Sequence, residues 1–267
     1  MRNPLTTALR LDGQSTTTAT ATITPDWGQG RATFGGLLAA LAIRALGRVS
    51  AGQPLRSFAI NFVAPVATGE LGIQLELLRS GKSLIHAQAR LHQQDVTCAV
   101  MLAAYGGGRA TQLPAPATRA SDVPAPASLP RLPFMPEMMP ACLQHFDFRW
   151  ASPTPPFSKA ERGSIAGWVR PDDADTVDSA ILAALIDVFP PAFSPQLAAP
   201  SPSSTVTWQV NFCGEPANGS AQDFWLLEGD TLAAEGGYAS TSARIWDERG
   251  ALRAISHQLV AEFSGGR

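Results

Sequence analysis

Charge, cysteine and tyrosine are scarce in this chain. Charged residues make up 16% of its 267 residues, with 20 Lys and Arg against 22 Asp and Glu. So even a balance leaves no basic footprint, and no nucleic-acid partner is expected. Three cysteines, Cys98, Cys142 and Cys213, lie far apart and form no CxxC pair. That excludes a disulfide framework and a thiolate metal site, and the three read as buried, reduced thiols. The longest apolar segments are about 12 residues, short of the roughly 20 that a membrane-spanning helix needs. The first residues lack the apolar core of a secretory signal. The reading is a cytoplasmic protein with no membrane partner. GxSxG, HExxH and GxxxxGK[ST] are also missing, so no standard nucleophile, zinc or phosphate motif is present.

What is present is a duplication. Gly35–Leu46 (GGLLAALAIRAL) and Ser179–Phe189 (SAILAALIDVF) share Leu-Ala-Ala-Leu at an offset of 144 residues. Both are apolar nearly all round, the pattern of a buried helix. Further echoes keep the same order. Asn61-Phe62 returns as Asn211-Phe212, and Ala89-Arg90-Leu91 as Ala243-Arg244-Ile245. A slowly drifting offset is expected of homologous units with small loop insertions.

Around each helix the pattern alternates as strands do. In the first half these are Thr16–Pro25, Leu55–Ala64, Gly72–Arg79, Ser83–Gln93 and Thr97–Tyr105, the last four read as one meander. In the second half they are His145–Trp150, Ser164–Val169, Thr205–Cys213, Phe224–Glu228, Ala233–Trp246 and Ala251–Phe263. Gly106–Pro140 carries eight prolines after Gly106-Gly107-Gly108 and reads as an extended linker, anchored near its Met135, Met138 and Met139 cluster. A buried helix followed by an antiparallel sheet is the hot-dog arrangement. The fold class is therefore α+β, a tandem (double) hot dog with two antiparallel sheets, each wrapped around a long buried helix. The expected domains are residues 1–107, a linker over 108–144, and residues 145–267. Two such units can pair their sheets edge to edge and close the exposed edges.

Asp187 is the one acid on an otherwise apolar helix, where the first copy has Ile43. An acid there is costly to bury unless it is hydrogen-bonded or functional. From the pattern alone, a water-facing helix end and a functional acid both stay open. The Gly35-Gly36 pair either allows close packing or presents backbone N–H groups to negative charge. His86, His92, His145 and His257 show no pairing pattern and read as structural or surface residues.

The chain resembles the double hot-dog acyl-CoA thioesterases, the thioesterase II group. The resemblance runs through Phe34–Ala40 and Leu55–Pro65, then Leu185–Phe189, Ser204–Phe212 and Ser256–Val260. It implies an Asp, a Thr and a Gln that orient an attacking water, carried here by Asp187, Thr205 and Gln258. Thr207 is a fallback for Thr205, since alternation puts both on one strand face. The first-half equivalents, Ile43, Leu55 and Ala103 or Ala104, are apolar. One half is thus expected to be catalytic and the other architectural. Gly35 and Gly36, or the Asp178-Ser179 region, are expected to bind the thioester oxygen. Thr207-Trp208 stand where the family pattern has an acidic residue and a His, and the bulky Trp208 is expected to shape the pocket. The implied reaction is hydrolysis of an acyl-CoA to free acid and CoA, with no cofactor and no metal. A binding protein for acyl-CoA or lipid, and an enoyl-thioester hydratase, are the alternatives. A dimer or tetramer suits such folds.

Overall fold

A computed structural model describes residues 4–13, 15–113, 118–174, 176–214 and 219–265. Pro114 and Pro116 of the linker, and the extreme ends of both expected domains, lie outside them.

The two apolar runs are helices, and they form the centre. After a short N-terminal helix α1 (Leu5–Ala8), α2 spans Gly35–Leu46 and α3 spans Ser179–Asp187. Every residue of α2 after Gly35 is buried except Arg44, and so is every residue of α3 from Ala180 to Ile186. Ile181, Leu182, Leu185 and Ile186 are each 5% exposed or less. Burial of side chains this size is worth about 1.5–3 kcal/mol apiece. The two helices pack against each other. Gly36 makes that possible, because a methyl group there would lie 3.1 Å from the Cα of Ala184.

One antiparallel sheet of eleven strands wraps both helices. Its strands are β1 (Thr18–Ile23), β2 (Leu55–Phe62), β3 (Gly69–Ser80), β4 (Ile85–Gln93), β5 (Val96–Tyr105), β6 (Phe146–Trp150), β7 (Ser164–Pro171), β8 (Ser203–Phe212), β9 (Trp225–Glu235), β10 (Tyr238–Trp246) and β11 (Leu252–Glu262). Their order is β1-β3-β4-β5-β2-β8-β11-β10-β9-β7-β6. Reading outward from the middle, β2, β5, β4, β3 and β1 match β8, β11, β10, β9 and β7. The halves join where β2 pairs with β8, Ala59 facing Gln209. The expected edge-to-edge pairing thus fuses two hot-dog sheets into one.

The structure departs from the sequence reading in three places. First, β2 does not open a meander with β3. It pairs with β5, Phe58 opposite Ala103, and this places it centrally, free to meet β8. Second, the hairpin of the second half turns at Gly236-Gly237, with φ of 60° and 80°. Two consecutive residues of positive φ are what a tight two-residue hairpin demands. β9 therefore runs on to Glu235, and β10 starts at Tyr238 rather than Ala233. Third, the linker is held along its length rather than at its methionines alone: Leu132 N donates to the Phe148 carbonyl at 2.9 Å, and Met139 is half-buried while Met135 is 39% exposed. Met138 is 76% exposed. Trp168 Nε1 donates to the Pro124 carbonyl at 2.9 Å, and Arg149 Nη1 to that of Pro126 at 2.6 Å. Under the linker, buried Asp147 accepts from both Arg149 and Arg170.

Cys98 and Cys142 are buried as expected, whereas Cys213 is half-buried. His145 is fully buried, stacked on Trp27 and 3.2 Å from an Asp26 oxygen. Among the described residues, no helix is long and apolar enough to cross a membrane.

Candidate active site

Asp187 is the last residue of α3, and the chain leaves at once through Val188, Phe189 and two prolines. Pro190 and Pro191 cannot continue a helix, so the carboxylate is held where α3 ends. That end meets the start of α2, from the other half of the chain. The backbone N–H of Gly36 donates to the carboxylate. From β11, Gln258 Nε2 donates to Asp187 Oδ1 at 2.7 Å. A methyl group at Gly35 would lie 3.0 Å from Asp187 Oδ2 and 3.3 Å from the Phe62 ring. Glycine is what lets the acid sit so near.

The two helix starts are treated differently. Phe34, the residue capping α2, makes no side-chain bond to it. Asp187 supplies the missing acceptor, and the positive end of the α2 dipole favours its negative form. At the start of α3, Asp178 caps its own helix, accepting from Ala180 N and Ile181 N at 3.0 Å. Asp178 also pairs with Arg44 at 2.6 Å. Two of the donors at the Asp178-Ser179 end are thus taken by the helix's own cap.

Asp187 keeps partial exposure to a cleft. Burial of its carboxyl group still outweighs the Gln258 and Gly36 donors, and its pKa rises from 3.8 to about 7. An acid of this kind is poised to take and return a proton near neutral pH. Close by, burial and then the Asp187 charge push the Cys142 thiol up to about 12. A thiol so hard to ionise is no nucleophile.

The cleft beside the acid has a volume of about 30 Å³. That is room enough to hold a water molecule. Its polar wall includes Asp187, Gln258, Thr241 and Ser256, and its apolar wall includes Ile186, Phe189 and Leu227.

Thr205 needs a correction in how it is placed. Regular alternation would put it on the same face as Thr207. A β-bulge intervenes, so Thr205 faces Val260 while Thr207 faces Leu259. Thr205 thereby shares the helix-facing side with Gln258, and Thr207 is turned away from it. Thr205 and Gln258 are diagonal neighbours, roughly 7–8 Å apart. Among the described residues, no hydrogen bond joins the Thr205 side chain to Asp187 or Gln258. Trp208 is 1% exposed and stands behind the cleft. Its Nε1 donates to Ser256 Oγ at 2.8 Å, so it reaches the cleft through Ser256.

Sequence reasoning missed Thr241, which is 7% exposed and faces Gln258 across β10 and β11. The repeat carried the signal. Thr241 faces Gln258 as Ala87 faces Ala103, and a polar residue replacing a buried apolar one is the kind of contrast that singled out Asp187 against Ile43. Also missed was the N–H of Gly36 as a partner for the acid, since no side chain announces it.

Comparison with known proteins agrees with this architecture. No curated protein sequence matches the chain. Among solved structures, a conserved hot-dog protein of unknown function from Alicyclobacillus acidocaldarius superposes with a TM-score of 0.85 at 23% identity, over 97% of both chains. The acyl-CoA thioesterase II of Mycobacterium marinum superposes with a TM-score of 0.76 at 18% identity, over 97% of this chain and 98% of the other. At such identities the likeness is one of fold. The sequence families are more direct. Residues 23–106 match the acyl-CoA thioesterase N-terminal domain and residues 121–261 its C-terminal domain, and the chain belongs to the acyl-CoA thioesterase family.

Proposed function

We propose that this protein hydrolyses the thioester of an acyl-CoA, using Asp187 as general base, Gln258 to orient it and Thr205 to help place the water. The observation that carries the reading is the Gln258–Asp187 bond at 2.7 Å beside a water-sized cleft. Ionised Asp187 accepts a proton from the water as the water oxygen attacks the acyl carbon. The carbonyl π electrons move to oxygen, and the resulting charge faces the positive end of α2. The intermediate collapses, the carbon–sulfur bond breaks, and the thiolate takes the proton back from Asp187. Acid and thiol are the products, and one water is consumed. The apolar wall at Ile186, Phe189 and Leu227 suits an acyl group. Gly35 and Gly36 act by leaving room for the acid and donating to it.

The test is thiol release across acyl-CoAs from short to long, aromatic ones included. Release from at least one class is expected. Absence of release from all of them, with acyl-CoA still raising the melting temperature, would leave a binding protein.

A further inference from the structure

On the helix-facing side of the sheet the two halves can be compared position by position. One row of facing residues in the first half reads Ile60, Met101, Ala89 and Leu75. Its counterpart in the second half reads Val210, Ser256, Ala243 and Gly229, and it ends on Ile165 of β7. From this row, resting on the thioesterase reading, we infer that Ile165 sets the acyl length, and that the substrates are CoA thioesters of short acids, of about four carbons or fewer.

The first observation is missing side-chain volume. Ile60 and Met101 are 0% exposed and Leu75 is 6% exposed, so the first half fills this row with packed side chains. The second half has Val, Ser and Gly in their places. Residues that face one another across a sheet share one of its sides. The loss therefore opens one continuous slot and not three scattered gaps. Protein interiors are close-packed, and a row emptied in one half alone is the same kind of contrast that marks Asp187.

The second observation places the slot at the acid. Ala89 is 0% exposed, whereas its counterpart Ala243 is only half-buried. The row is thus open above Ala243. Ser256, Ala243, Gly229 and Ile165 all line the cleft that holds Asp187 and Gln258. Ser256 and Gln258 are two apart on β11 and point the same way. The row therefore begins beside the catalytic amide, where the first carbons of an acyl group would leave the carbonyl.

The third observation closes the slot. Ile165 is 4% exposed and leans over Gly229, where a methyl group would lie 3.1 Å from Ile165 Cγ1 and 3.4 Å from Cδ1. The room that Gly229 vacates is thus taken by Ile165. What remains is the step from Ser256 to Ala243, one strand spacing of roughly 5 Å, the reach of an acyl group of about four carbons. The neighbouring row offers no detour. A side chain at Gly167 would run into the Phe189 ring, and that ring packs on Phe148 with centroids 4.5 Å apart.

The test compares straight-chain acyl-CoAs from acetyl to dodecanoyl, with the full-length wild type, Ile165→Ala and Ile165→Val. Wild-type kcat/KM should rise roughly fourfold per added methylene up to butyryl and fall at least about tenfold by hexanoyl, as for an overfilled core. Ile165→Ala removes about three carbons of packing, and it should turn over hexanoyl-CoA at least as well as butyryl-CoA. Ile165→Val is the milder change and should admit pentanoyl-CoA; it decides the matter if Ile165→Ala does not fold. A wild type equally fast on octanoyl- and butyryl-CoA, or variants whose losses are the same at every chain length, overturn the inference. Calorimetric titration with the same acyl-CoAs separates it from the catalytic reading. Should the wild type hydrolyse none of them, a Kd that is tightest at butyryl and moves to longer chains in Ile165→Ala still supports the role of Ile165. A Kd independent of chain length, or no binding, overturns it.

Discussion

Replacing Asp187 with Asn should make the protein more stable at pH 8 and leave it no more stable near pH 4.5. The folded protein holds this carboxyl at a pKa of about 7, against an ordinary value of 3.8. Between those values the folded chain keeps a proton that the unfolded chain has released. Stability therefore falls as pH rises through that window, and the cost is fully present above about pH 7. About three pKa units at 1.36 kcal/mol each set a ceiling of about 4 kcal/mol. Asp187 is partly open to the cleft, which lowers that figure. Asn also offers one carbonyl oxygen where the carboxylate gave two, and a weakened bond to Gln258 or Gly36 costs about 1 kcal/mol. The net gain at pH 8 should be about 2–3 kcal/mol, or roughly 4–10 °C in melting temperature. Urea denaturation of both proteins at pH 8 and pH 4.5 reads the difference directly. A wild-type-to-variant gap that does not change with pH would refute the buried-acid reasoning. The gain is the stability that a functional acid gives up.

Gln258→Ala should cut turnover by about a hundredfold with an unchanged fold by circular dichroism, and Thr205→Ala by less, since Thr205 does not touch the acid. Wild-type activity in both variants would sink the site assignment. Gly35→Ala places a methyl group 3.0 Å from Asp187 Oδ2, so kcat should drop at least about tenfold; an unaffected kcat would mean that Asp187 is not held at the start of α2. Ile43→Asp, the mirror of Asp187 in the first half, should cost about 3 kcal/mol or more by burying an acid without its donors. An unchanged melting temperature would contradict the burial of that helix face.

Much of the fold was legible because it is written twice. The Leu-Ala-Ala-Leu runs read as buried helices, and the Asn-Phe echo falls on the two strands that the structure pairs at the centre. Strand order was not legible. That β2 pairs with β5 depends on where the chain crosses the sheet, and alternation carries no such information. The Gly236-Gly237 hairpin was misplaced because a five-residue strand looked sufficient, although two glycines were a readable turn signal. At the site, contrast between the halves pointed to Asp187, Gln258 came with the resemblance, and the structure brings the two into contact. Thr205 came with the resemblance, and only the bulge at Val206 explains how it reaches the right face. Backbone groups such as the N–H of Gly36 leave no trace in composition. The Asp178 cap had one, an Asp directly before an apolar run, and it was passed over in favour of an anion site.

The most direct measurement is the pH profile of thiol release from the best acyl-CoA, for the wild type and Asp187→Asn. Wild-type kcat/KM should rise about tenfold per pH unit below about pH 7 and level off above it. Asp187→Asn should be slower by at least about a hundredfold at every pH, with no such rise. Equal rates for the two proteins at pH 8 would contradict the assignment of Asp187 as the base.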